Sequence, residues 1–225
     1  MDIAKQMQMQ EIALFKGISD DARKVLSEQA RRRTYRPGEM ILGETDAVRA
    51  FYVVLTGQVK LYKSSPEGKE QTISLLGEGE PFGLCTAFAV EPFPVNVMAL
   101  EDSMILSIPG PVIEAVAGKE PALLLNVIQI LSRRFKESMS LIESLSLKEI
   151  PQRLATFLVH ALKKARGDRL ALTITQRELA KILGSTPEAL SRAIRRMSNE
   201  GILESGGRTI TVLDRNALKL LSEGE

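Results

Sequence analysis

The segment TQRELAKILGSTPEALSRAIRRM, Thr175 to Met197, restricts the fold of this 225-residue chain more than any other stretch. Thr175 followed three residues later by Glu178 is the pattern of a capping box, so a helix is expected to begin there. Ala180 is small where a second helix must come close, and Gly184 supplies the backbone freedom of a tight turn. Leu190 then points back into a shared core, and the offsets of four and six residues fit a helix-turn-helix. Ser185 or Thr186 can cap the next helix, with Pro187 in its first turn, where a missing N–H costs nothing.

The second helix presents Glu188, Ser191 and Arg192 on one face, at i, i+3 and i+4, with Arg195 and Arg196 one turn on. Arg192 can donate two hydrogen bonds to guanine O6 and N7, Glu188 can accept from cytosine N4, and Ser191 can reach a base or a phosphate. Arg195 and Arg196 suit phosphates or an internal ion pair, and Thr175 is a further candidate DNA contact. The competing reading makes Glu188 and Arg192 a surface pair, with Glu188 completing a cap on Ser185. The following ILESGGRTITVL weighs against it, because two short β-runs joined at Gly206-Gly207 form a hairpin with Arg208 on its rim. A helix-turn-helix followed by a β-wing is a winged helix, a double-stranded DNA-binding module.

Charge is distributed accordingly. From Glu149 onward there are 13 Lys/Arg against 9 Asp/Glu, a balance of +4, which leaves −2 for residues 1–148 out of the net +2. The basic excess lies where phosphate would be met.

The N-terminal half reads differently. A helical opening from about Ile12 to Gln29 leads into short alternating runs around Met40–Leu42, Phe51–Leu55, Val59–Tyr62, Thr72–Leu76 and Met104–Ile108. Turn signals stand at Pro37-Gly38, Thr56-Gly57, Pro66-Glu67-Gly68 and Gly77-Glu78-Gly79, which implies a barrel, sandwich or jelly-roll-like domain. The run Arg31-Arg32-Arg33 with Arg36 reads as the solvated edge of the first strand. Met7 and Met9 read as one face of an amphipathic helix.

From Pro121 to about Leu147 there is neither glycine nor proline. Leu124, Ile128, Leu131, Phe135, Ile142 and Leu145 follow steps of four and three, with Ser138 as a polar interruption. That is the seam of a coiled coil flanked by Arg133, Arg134 and Lys136, and it predicts pairing with a second copy in preference to packing on the chain's own β-domain. Ile150-Pro151 marks a new helix start, with an amphipathic helix over Gln152–Lys164. The expected division is a sensory β-domain over 1–118, a dimerisation helix over 119–148 and the DNA-binding domain over 149–225.

This order of modules, with Glu188-Ala189-Leu190-Ser191-Arg192 in the second helix of the helix-turn-helix, resembles the CRP/FNR family of bacterial transcription regulators over essentially the whole chain. The resemblance implies an α+β fold: an N-terminal cyclic-nucleotide-binding-type β-roll (jelly-roll-like), a long dimerisation helix and a C-terminal winged helix-turn-helix. It also implies a homodimer on a palindrome with TTGA-like half-sites, with RNA polymerase as a further partner. Pro187 stands where the catabolite activator of the family has a DNA-contacting arginine, so that contact should be missing. PEGKEQ, IESLSLK and GGRTITVLDR resemble most closely the nitric-oxide-responsive regulators of nitrate respiration and hybrid-cluster-protein expression, which implies haem.

The family's cyclic-nucleotide pocket carries Gly-Glu and Arg-Ser or Arg-Thr pairs, whereas here Leu84 follows Gly83 and Pro94-Val95 stand near the second pair. With no cation for the phosphate, cyclic AMP is not the expected effector. A single cysteine excludes an iron-sulfur cluster and any internal disulfide. Leu84, Cys85, Phe88, Phe93, Val95 and Met98 are the candidate effector pocket. Cys85 reads as a small core residue before it reads as a redox switch, and His160, the only histidine, as a surface or hinge residue before a haem ligand. A β-domain serving only dimerisation is the ligand-independent alternative. No phosphate loop, metal-ligand cluster or nucleophile-base pair suggests an enzyme. Neither a signal peptide nor a membrane span is legible, so a cytoplasmic protein is expected.

Overall fold

The computed structural model describes residues 12–88, 92–164 and 167–224, and the Met7 and Met9 pair lies outside them. The chain divides into two compact units, the first up to Glu137 and the second from Ser138 on, with Glu70–Thr72 counted with the second.

In the first unit, the helical opening expected over Ile12–Gln29 is a 3-10 turn at Ala13–Phe15 followed by helix α1, Asp20–Gln29. Ser19 caps α1: its hydroxyl accepts the Ala22 amide at 3.2 Å, and Asp20 and Asp21 place negative charge on the helix's positive end. The strands are β1 Arg31–Tyr35, β2 Met40–Leu42, β3 Ala50–Thr56, β4 Val59–Ser64, β5 Glu70–Leu76, β6 Pro81–Phe82, β7 Asn96–Ala99 and β8 Ser103–Pro109. All five expected runs are strands. They form two four-stranded antiparallel sheets, ordered β1-β8-β3-β6 and β2-β7-β4-β5.

Strand β3 is buried at every position but Thr56 because it separates two cores. Phe51, Val53 and Leu55 on one face join Leu14, Phe15 and Leu26. Tyr52 and Val54 on the other face join Leu42, Val59, Leu76, Val97 and Ala99 of the second sheet. A period of two with both faces covered yields the continuous apolar run AFYVVL. Each such side chain contributes on the order of 1.5 to 3 kcal/mol by leaving water. Strand β1 is an edge strand whose arginines 31–33 are exposed or half-buried, as a solvated edge requires.

Helix α2, Leu84–Phe88, and helix α3, Gly110–Ala117, close this domain, and helix α4 runs over Pro121–Leu147 as expected. The first half of α4 buries Leu123, Val127 and Ile130 in the first core. Asn126 Nδ2 donates to Leu14 O and Lys16 O, both at 2.8 Å.

The second unit contains helix α5, Ile150–Lys164, strand β9, Arg169–Ala171, helices α6, Gln176–Ile182, and α7, Pro187–Asn199, strands β10, Leu203–Gly206, and β11, Thr209–Val212, and helix α8, Arg215–Glu223. Strand β9 adds a third member to the wing, ordered β10-β11-β9. Lys148 Nζ donates to Ser222 O at 2.9 Å and to Thr156 Oγ1 at 3.2 Å, joining the start of α5 to the end of α8.

Candidate nucleic-acid interface

Both helices of the helix-turn-helix start where the sequence indicates. Thr175 Oγ1 accepts the Glu178 amide at 3.2 Å. Glu178 also pairs with Lys181 at 2.9 Å. Thr186, not Ser185, caps α7 by accepting from Ala189 N at 3.3 Å, with Pro187 as its first residue. Gly184 has φ +62°, the left-handed conformation the turn needs. Leu179, Ala180, Leu190, Ala193, Ile194 and Met197 form the buried side of the pair.

The opposite face of α7 lies in solvent. Glu188, Ser191, Arg192, Arg195 and Arg196 are all exposed. The Glu188 carboxyl is held below its ordinary pKa, first by its own backbone N–H, then by the Thr186 hydroxyl, and least by the charge of Arg192. It is therefore an acceptor at neutral pH. Arg196 pairs with Glu200 at 2.9 Å, an exposed i,i+4 contact that constrains the side chain little. Arg177, in the first turn of α6, is exposed as well, and sequence reading passed over it because no spacing rule marks it. In the wing, Gly206 pairs with Thr209, so the two turn residues are Gly207, at φ +63°, and Arg208, one place later than the expected Gly206-Gly207 junction. Arg208 thus stands at the tip, its carbonyl held by Leu172 N at 2.8 Å.

The six residues expected to line an effector pocket are not brought together. Leu84 and Phe88 pack against the first core, while Phe93 and Val95 belong to the second. Met98 lies on β7 opposite Met40 and Lys60. Cys85 is exposed, contrary to the core role expected from its apolar neighbours, because α2 turns it away from the buried Thr86 and Ala87. His160 is exposed on α5. Among the described residues no group of three or more His, Cys, Asp or Glu side chains could hold a metal ion. As placed here, the six residues do not form one pocket for a haem.

Two cations are drawn inward in the first unit. Lys60 is 2% exposed, with Nζ 4.6 Å from the Tyr62 ring centroid. Arg134, expected at the flank of a coiled-coil seam, instead donates from Nη1 to Ser74 Oγ at 2.8 Å and from Nη2 to Pro81 O at 3.4 Å. Burial lowers its pKa and Glu80 opposes that shift.

Along α4, Leu124, Ile128, Leu131, Phe135 and Ile142 are exposed, as are Leu125 and Met139. Leu145 is half-buried and faces the helix-turn-helix turn. No described helix is long and apolar enough to cross a membrane.

Fold and interface together define a winged-helix DNA-binding transcription regulator with a separate N-terminal β-domain. The model of the cyclic nucleotide-binding domain matches residues 32–120, and that of the Crp-like helix-turn-helix domain matches residues 152–221. The anaerobic regulatory protein of Haemophilus influenzae is 30% identical over 194 residues, covering 84% of this chain and 75% of that protein. The cyclic AMP receptor protein of Thermus thermophilus is 28% identical over 211 residues, covering 94% and 97%. Among solved structures, FixK2 from Bradyrhizobium japonicum superposes with a TM-score of 0.77 at 27% identity, covering 85% of this chain and 96% of that one. The chain belongs to the CRP/FNR family of transcription regulators.

Proposed function

We propose that this regulator acts as a cytoplasmic homodimer, without catalytic activity, that reads a palindrome of TTGA-like half-sites and is switched by a small effector other than cyclic AMP. The observation that carries this reading is the row of Glu188, Ser191 and Arg192 on the solvent face of α7. One α7 per subunit enters the major groove of each half-site, so dimer symmetry matches operator symmetry, with half-sites about one helical turn apart. Arg192 reads guanine, Glu188 accepts from cytosine N4 and Ser191 reaches a base or phosphate. Arg195, Arg196, Arg208 and Thr175 position the protein on the backbone. The apolar row on α4 supplies the dimer seam. RNA polymerase is the partner through which bound dimers change transcription.

For the effector, haem responding to nitric oxide is the candidate drawn from sequence resemblance, although the six pocket residues would have to regroup to hold it. An anaerobic absorption spectrum of haem-reconstituted protein, before and after nitric oxide, tests it together with binding to a TTGA palindrome. A stoichiometric spectrum with gas-dependent DNA binding supports the haem reading; loose haem with unchanged DNA binding removes it and leaves the DNA-reading assignment standing. The exposure of Cys85 favours one second reading, a redox-responsive regulator. In that case peroxide alters DNA binding of the native protein and Cys85→Ser abolishes the response.

A further inference from the structure

Arg153, half-buried in the first turns of α5, spends its guanidinium on three backbone carbonyls. Nε donates to Lys148 O at 2.8 Å, Nη2 to Leu145 O at 3.0 Å and Nη1 to Leu183 O at 3.0 Å. The first two acceptors lie at the C-terminal end of α4, where the last carbonyls of a helix lack intrahelical donors. The third is the C-cap of α6, one residue before the turn of the helix-turn-helix. A cation at two helix C-termini also sits where both dipoles are negative. The planar fork of an arginine fixes the direction of each bond, so three carbonyls are located by one rigid group.

Packing at Gly184 points independently to the same junction. A Cβ there would stand 2.6 Å from Leu145 Cδ2 and 3.3 Å from Arg153 Nη1, so helix end, turn and guanidinium meet without space for a methyl group. Arg153 also lies in the wall of a groove between the first turn of α5 and α7, whose other wall carries Arg192 and Arg196.

We propose that Arg153 is a positioning residue for DNA reading, pinning the C-terminal end of α4 to the helix-turn-helix turn so that α7 is carried with the end of the long helix as one body. The inference rests on the DNA-reading role proposed above.

The test uses the full-length protein and its Arg153→Gln and Arg153→Lys variants. Hydrogen exchange is followed in residues 145–150 and 183–190, and affinity is measured for a TTGA palindrome and a scrambled duplex of equal length. Arg153→Gln is expected to speed exchange in both segments about tenfold with β3 unchanged. It is also expected to lower the palindrome-to-scrambled affinity ratio about tenfold, with scrambled binding altered less than about twofold. Arg153→Lys, which keeps the charge but not the fork, should restore melting temperature without restoring the ratio. Unchanged exchange in either segment, parallel loss of both affinities, or full rescue by lysine overturns the proposal. If the glutamine variant does not fold, the lysine variant carries the same measurements. A wild-type protein that binds both duplexes equally would refute the DNA-reading role, whereas the exchange data, which need no DNA, still decide the role of Arg153.

Discussion

Gly184 and Leu145 are packed so closely that a methyl group on the glycine would stand 2.6 Å from Leu145 Cδ2. The glycine also holds φ +62°, which costs an L-residue about 1 to 2 kcal/mol. Gly184→Ala adds that strain to a forced shift of Leu145. It should destabilise the DNA-binding domain by about 2 to 3 kcal/mol, read as a lower urea midpoint of unfolding. An unchanged midpoint would mean that the turn relaxes into another conformation.

Arg192 and Arg195 are both exposed on α7, one turn apart, yet their substitutions should separate. Arg192→Ala should cost about 1 to 3 kcal/mol at the cognate palindrome and relax preference at one base pair. Arg195→Ala should weaken cognate and random DNA alike and reduce the salt slope of binding by about 1. Anisotropy titrations at several salt concentrations read both quantities. Equal weakening of specific and random binding by Arg192→Ala rejects its base-reading role.

The helix-turn-helix was legible because its signals are local. Thr175, Gly184, Thr186 and Pro187 specify caps and a turn through their own chemistry within a few residues. Strand β3 was legible for a different reason, because burial on both faces leaves the continuous apolar run from Phe51 to Leu55. What escaped depends on distant partners. Strand β9 has three residues and exists through pairing with Thr209–Thr211 of the wing. Cys85 has apolar neighbours in sequence but faces out, since two residues of an α-helix, about 200° of rotation, set it opposite the buried Ala87. Arg134 flanks the apolar row on paper, yet Ser74 and Pro81 draw its guanidinium inward. Leu145 fits the heptad spacing, but an α-helix of 3.6 residues per turn drifts relative to a seven-residue repeat, and by Leu145 the row has reached the helix-turn-helix.

Tyr52 offers a test of the β-domain. Its ring stacks on Phe82 with centroids 5.0 Å apart, and its hydroxyl pKa is pushed up to about 12, mainly by burial and further by Tyr35 and Asp46. The folded state therefore keeps its proton more tightly than the unfolded state, whose tyrosines ionise near pH 10. That stabilisation is complete below about pH 10 and is lost as pH rises towards about 12. Alkaline denaturation of the wild type should show tyrosinate absorbance rising together with unfolding. Tyr52→Phe should flatten the dependence of stability on pH in that window, and a slope identical to wild type would remove Tyr52 as its source.

Phe135 is 69% exposed and Ile128 57% exposed on α4, on the side opposite the buried Leu123, Val127 and Ile130. Leaving Leu124, Ile128, Leu131 and Phe135 in water forgoes apolar burial that the proposed pairing with a second copy of the helix would recover. Phe135→Glu places a charge in that seam, and two charges meet across a symmetric pair. The dimer dissociation constant should rise at least about a hundredfold, roughly 2.7 kcal/mol, giving a monomer by sedimentation at micromolar concentration. The monomer keeps its folded β-domain, because Phe135 lies outside both core clusters. Half-site binding should then persist weakly while affinity for the full palindrome collapses, since the second half-site no longer adds to the first. A Phe135→Glu protein that sediments as a dimer places the interface elsewhere and leaves the exposed row on α4 without the role assigned to it.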